Sequence, residues 1–143
     1  VRVYLDTSAL LPYYRSEPRS DAVESFLRAR REPVDISDLT LVEVASALAR
    51  WVRHGELSEA QALTIERALD ADVEAGRLAV HPLTRGHTRL AQRWLLGRQV
   101  GLRTLDALHL ACAALIDAQL VTFDRELARE ATALGIETLD LER

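Results

Sequence analysis

Short apolar runs alternate along this chain with longer stretches in which apolar residues recur every three or four positions. Runs at Val1 to Leu5, Val34 to Ser37, Leu78 to Leu83, Leu120 to Phe123 and Ile136 to Leu139 have the length and composition of strands. The periodic stretches predict helices over about 20–31, 38–54, 58–75, 85–96, 104–118 and 124–134. Ser58 and Gln61 form a capping box for the third helix, and Gly76 is placed to stop it. Strands alternating with helices imply a parallel sheet covered on both faces, and no repeat or linker divides the chain, so residues 1–143 are expected to form one α/β domain. In open sheets of this kind a ligand binds beyond the carboxyl ends of the strands, where strand order reverses. Asp6 and Asp124 each follow directly on a strand.

Asp106 raises the sharpest question of chemistry. The residues after it, "ALHLACAALI", are apolar around almost the whole circumference of a helix, so Asp106 is expected in the first turn of a buried helix. Service to the helix dipole is worth only ~0.3–1 kcal/mol, whereas desolvating an unpaired carboxylate costs several. A cation or a bridging group is wanted there. Asp124 has a structural use as N-cap of the last helix, and "DTSALL" after Asp6 is able simply to turn the chain into a short helix. Glu43 is harder to place. At 100° per residue Leu41, Val42, Ala45, Leu48, Ala49 and Val52 form the expected core stripe, and Glu43 points away with Arg50 and His54. Periodicity therefore sets it on a solvated face, and a cleft is also solvated.

Composition narrows the chemistry by what is missing. All 18 basic residues are Arg; the chain has no Lys and no Met. A P-loop, a haloacid-dehalogenase-like phosphatase and a response-regulator receiver all need a lysine beside phosphate, and so are excluded. The histidines, His54, His81, His87 and His109, form no i, i+4 pair, which speaks against zinc, and no G-x-S-x-G elbow is present. Carboxylates alone point to Mg²⁺ or Mn²⁺. The lone Cys112 lies in an apolar run and reads as a small core residue. A net charge of −4 gives no overall basic footprint, so any nucleic acid must be attracted by local arginines and metal. With no apolar run near the ~18 residues of a membrane span, and no basic-then-apolar leader before the first strand, a soluble cytoplasmic protein is expected.

Taken together, "VYLDTSALL", "DLTLVEVASAL" around Glu43, "LDALHLACAAL" around Asp106 and "LVTFDRELAREA" resemble the PIN-domain nucleases, in particular the VapC-type toxins of bacterial toxin–antitoxin pairs. The likeness runs the length of the chain. It implies a three-layer α/β sandwich with a five-stranded parallel sheet in order 3-2-1-4-5, whose acids share one cleft and hold Mg²⁺ or Mn²⁺ for RNA hydrolysis. Carried over, the family's acids fall on Asp6, Glu43, Asp106 and Asp124. Asp6 and Asp106 are then the principal metal ligands, while Glu43 and Asp124 bind through water, hold a second ion or orient the nucleophile. Ser8, Thr122 and Thr104 are expected to fix carboxylate rotamers. Arg15, Arg85 and Arg103 are candidates for phosphate contact, and Tyr13 or Tyr14 for base stacking. The resemblance also implies a small antitoxin partner and a homodimer, for which Val44, Ala47 and Trp51, outside the expected core stripe, offer a surface. Two rival readings are a silent PIN-like binding module and a metal-dependent phosphatase acting on small molecules.

Overall fold

The computed structural model describes residues 1–98 and 100–142. Each strand is followed by two helices, or by one after the last. Strand β1 (Val3–Leu5) leads into α1 (Thr7–Tyr14) and α2 (Ser20–Ala29), and β2 (Val34–Ser37) into α3 (Asp38–Arg53) and α4 (Glu59–Glu74). Strand β3 (Leu78–His81) leads into α5 (Arg85–Gly97) and α6 (Thr104–Leu115), and β4 (Gln119–Val121) into α7 (Arg125–Ala133). The capping box expected at Ser58 and Gln61 forms reciprocally, and Gly76 ends α4 at φ 76°, a backbone that residues with a Cβ rarely adopt.

All strand pairs are parallel and the order is β3-β2-β1-β4. The chain builds outward from β1 to β3, then crosses back to lay β4 on the other side of β1. Strand order therefore reverses at the β1–β4 edge. Alternation along β1 feeds both layers: Val3 and Leu5 join Leu10, Val44 and Leu48 on one face, while Tyr4 joins Leu110, Leu120 and Leu127 on the other. Burying side chains of this size contributes about 1.5–3 kcal/mol each, which makes the two clusters the main support of the three layers.

Two expectations change. The fifth strand, Ile136 to Leu139, is reduced to one parallel bridge between Leu120 and Thr138, with Leu120 N–H donating to Glu137 and Leu139 N–H to Leu120. With β4 only three residues long, that edge offers little more to pair with. The second change is the rotation of α3. Its buried residues are Leu39, Thr40, Val44, Ala47 and Leu48, whereas Val42 is 66% exposed and Ala45 and Ala49 face solvent. The cause lies at the start of the helix, where Ser37 and Thr40 are fully buried beneath the Tyr4 hydroxyl. Once Thr40 points inward, the 3.6-residue period brings Val44, Ala47 and Trp51 after it. The surface expected of Val44, Ala47 and Trp51 is thus mostly core, while of the stripe expected to be buried Leu48 is core and Leu41 packs against it, but Val42, Ala45 and Ala49 are exposed. Among the described residues no helix is long and apolar enough to cross a membrane.

Candidate active site

Asp6 leaves β1 at the reversal point and is 5% exposed. Its backbone is extended, and its side chain caps α1 by accepting the Ala9 N–H at 3.1 Å. Ser8 Oγ donates to Oδ1 and Thr122 Oγ1 to Oδ2, both at 2.8 Å. The two oxygens are thereby fixed from two strand ends. Burial still pushes this carboxyl above the usual carboxylate range, although Thr122, His109, Ser8 and the Ala9 N–H pull the other way. Asp124 is tied to the same hydroxyls, because its N–H donates to Thr122 Oγ1 and the neighbouring Phe123 N–H to Ser8 Oγ. Its own Oδ1 accepts the N–H groups of Glu126 and Leu127, so it caps α7 as well.

Glu43 is half-buried, not on the outer face. Because α3 is rotated to bury Thr40, Glu43 lies one turn along beside that stripe. Thr7 Oγ1 donates to its Oε1 at 2.6 Å, and His109 Nε2 makes a short bond to the same oxygen. The other ring nitrogen of His109 is 2.8 Å from the Tyr4 hydroxyl, which is 2.9 Å from Ser37 Oγ. His109 thus links Glu43 on one side to the Tyr4 hydroxyl and Ser37 on the other. Burial alone pushes Glu43 upward, but the His109 and Thr7 bonds more than reverse this and hold it below its ordinary range. His109 is 3% exposed and was read from sequence only as a helical histidine. Its spacing of three from Asp106 was the available signal, since residues three apart share a helix face.

Asp106 occupies the first turn of α6, partly exposed, with Arg103 Nε at 3.7 Å. Burial raises its carboxyl; Arg103 and His109 lower it, while Asp124 and Glu43 raise it further. That mutual repulsion is the mark of carboxylates sharing one cleft. A fifth acid, Glu130 of α7, was also missed: it is 8% exposed, its Oε2 is buried with no hydrogen-bond partner among the described residues, and burial, Glu126, Asp106 and Asp124 all raise its carboxyl. Oxygen donors that repel one another suit a hard divalent cation. Among the described residues no three His, Cys, Asp or Glu side chains converge to coordination distance, so the cleft is looser than a closed coordination sphere.

Other expected residues separate. Thr104 is exposed at the head of α6 and makes no side-chain hydrogen bond among the described residues, so it fixes no carboxylate there. Arg85 stands exposed at the start of α5, away from the pocket that Ser8 and Asp124 line. Arg15 does line that pocket. Tyr14 donates to Asp72 at 2.7 Å, and Tyr13 lines a different cavity with Asp72 and Arg77, which removes both tyrosines from the cleft.

A parallel sheet with its acids at the reversal point defines a class, and comparison with known proteins agrees. The PIN domain family model matches residues 3–132, and the chain belongs to the PIN-domain family, among its VapC-type members. Ribonuclease VapC47 of Mycobacterium tuberculosis is 34% identical over 142 residues, covering 95% of this chain and 94% of that protein. The solved structure of FitAcB from Neisseria gonorrhoeae has a TM-score of 0.76 at 17% identity, covering 99% of each chain. A toxin–antitoxin complex from Klebsiella pneumoniae contains a chain with a TM-score of 0.63 at 18% identity, covering 88% of this chain and 89% of that one. At such identities the two structures speak for the fold alone.

Proposed function

We propose that residues 1–143 form a single nuclease domain, a metal-dependent endoribonuclease that is the toxin of a toxin–antitoxin pair. Family membership and the ribonuclease relative support the reaction class. The observation that carries it in this chain is the orientation of Asp6 by Ser8 and Thr122 beside Asp106, Asp124 and Glu43. Asp6 and Asp106 would be the principal ligands of Mg²⁺ or Mn²⁺, and Glu43 and Asp124 would bind through water, hold a second ion or orient the nucleophile. When bound, the cation supplies positive charge to the phosphate oxygens and lowers the pKa of water.

The protein's own groups do the rest. Thr7 and His109 both bind Oε1 of Glu43, leaving Oε2 to take the proton that an attacking water must lose. Ser8 and Thr122 prevent Asp6 from turning away. Arg103, next to Asp106, is placed to draw an incoming phosphate. The exposed stripe of Val42, Ala45 and Ala49 suits a second copy of the chain, and a small antitoxin would cover the cleft. The deciding assay sets structured RNA beside a chromogenic phosphate ester, each with Mn²⁺ and with EDTA. Metal-dependent cutting of RNA alone is the expected result; turnover of the ester alone would replace the nuclease by a phosphatase.

A further inference from the structure

Beside the acids a pocket of about 450 Å³ is lined by Ser8 and Asp124 on one side and by Leu11, Pro12, Trp51 and Phe123 on others. Two arginines edge it, and both are stacked. The Arg15 guanidinium carbon lies 4.1 Å from the centre of the Trp51 ring, and that of Arg19 lies 5.0 Å from the centre of Phe123. Phe123 is itself tied to the site, since its N–H bonds Ser8 Oγ and its successor is Asp124. Carboxylates pair only loosely with Arg15, whose nearest is Glu56 at 4.0 Å, and more closely with Arg19, at 2.7 Å from Glu142. The result is a part-apolar recess, lined by rings and edged by planar cations, that adjoins the candidate catalytic groups.

We propose that this pocket seats one unpaired base of a single-stranded RNA, the base next to the bond that is cut. The inference rests on the ribonuclease reading and adds to it a base-binding subsite. A guanidinium stacked on indole presents its other face to a base, and flat π-faces are the feature all four bases share. The volume is at the small end of ligand sites, enough for one nucleoside and too small for a paired base still in its helix. Both arginines also place positive charge beside a cluster of acids that would otherwise repel RNA, in a chain whose net charge is −4. Arg15 does two tasks, stacking and charge. Lysine at that position keeps only the second.

Trp51 supplies the reporter. The chain has two tryptophans, and Trp94 packs in the opposite apolar cluster, so a Trp94→Phe variant leaves the pocket's indole to be read by itself. In EDTA this protein is titrated with adenosine and uridine 5′-monophosphates, with ribose 5-phosphate and with inorganic phosphate. Both nucleotides are expected to change Trp51 emission, while the two baseless probes do not. Arg15→Lys and Arg15→Ala should each weaken the nucleotide effect about tenfold or more, and with Mn²⁺ should raise KM for RNA more than they lower kcat. Equal responses to ribose 5-phosphate and to nucleotides would overturn the base seat in favour of a plain anion site. No response to any nucleotide from a protein that still cuts RNA would overturn it too, as would an Arg15→Ala variant that keeps its KM but loses an antitoxin. If the wild type cuts no RNA, the ribonuclease reading fails, and the EDTA titration still reports on the pocket.

Discussion

Asp6 and Glu43 are carboxylates that their surroundings drive in opposite directions. Asp6 is raised by burial, as is Asp106, so the folded state favours their protonated forms. Their contribution to stability is complete below the ordinary carboxylate pKa and is lost as pH rises through the higher folded values. Glu43, lowered by its hydrogen bonds, contributes above its ordinary pKa and loses that contribution as pH falls through the lower folded one. Asp106→Asn should therefore abolish RNA cleavage yet raise the melting temperature of the metal-free protein near neutral pH. For so exposed a group the gain is about 0.5 kcal/mol, or roughly 1–2 °C. Calorimetry in EDTA at about pH 4 and pH 7 checks this, and a variant that cuts RNA at the wild-type rate would remove Asp106 from the centre. His109→Phe tests the support of Glu43. Losing that donor should raise the Glu43 pKa, moving the acid limb of the pH–rate profile to higher pH, and cost about 1 kcal/mol of stability through the lost bond to the Tyr4 hydroxyl, which keeps Ser37 as a partner. An unmoved limb would show that His109 only fills space.

Among the elements, α3 shows where a sequence is readable and where it is not. Its length, start and helical character followed from spacing, but its rotation did not, because Leu41, Val42, Ala45, Leu48, Ala49 and Val52 compete with a second apolar stripe of Val44, Ala47 and Trp51, and Leu48 serves the core in either rotation. The choice was made by polar groups: Thr40 and Ser37 meet Tyr4 from another strand, a contact 33 to 36 positions away. Periodicity misplaced Glu43, which only the family resemblance set among the acids, and His109 was missed, for the same reason: their bond spans 66 positions. Asp6, Ser8, Asp106, Thr122 and Asp124 were legible as candidates because each sits at a strand end or helix start, where local signals are strong. The exposed stripe gives a prediction at this scale. Val42→Asp should change stability by no more than about 0.5 kcal/mol, since Val42 is largely solvated, but should reduce any dimer to monomer in light scattering. An unchanged mass would leave the stripe without that role.

At the scale of the whole molecule, the sheet places acids from three layers around one edge, and a cation bound there acts on the global equilibrium. Saturating Mn²⁺ or Mg²⁺ at 100 times its Kd should stabilise the fold by about 2.7 kcal/mol. Thermal melts should show the shift in the wild type, none after EDTA, and little in Asp6→Ala. Equal shifts in both proteins would place the ion elsewhere. The bond from Thr122 to Asp6 has one more consequence, in time. The two residues are 116 positions apart, so at ~5–20 residues per second a ribosome makes Asp6 about 6–23 s before the hydroxyl that aligns it. For all of that interval Asp6 has only Ser8 and the Ala9 N–H to hold its carboxylate, so the candidate cleft is completed long after its first residue is made.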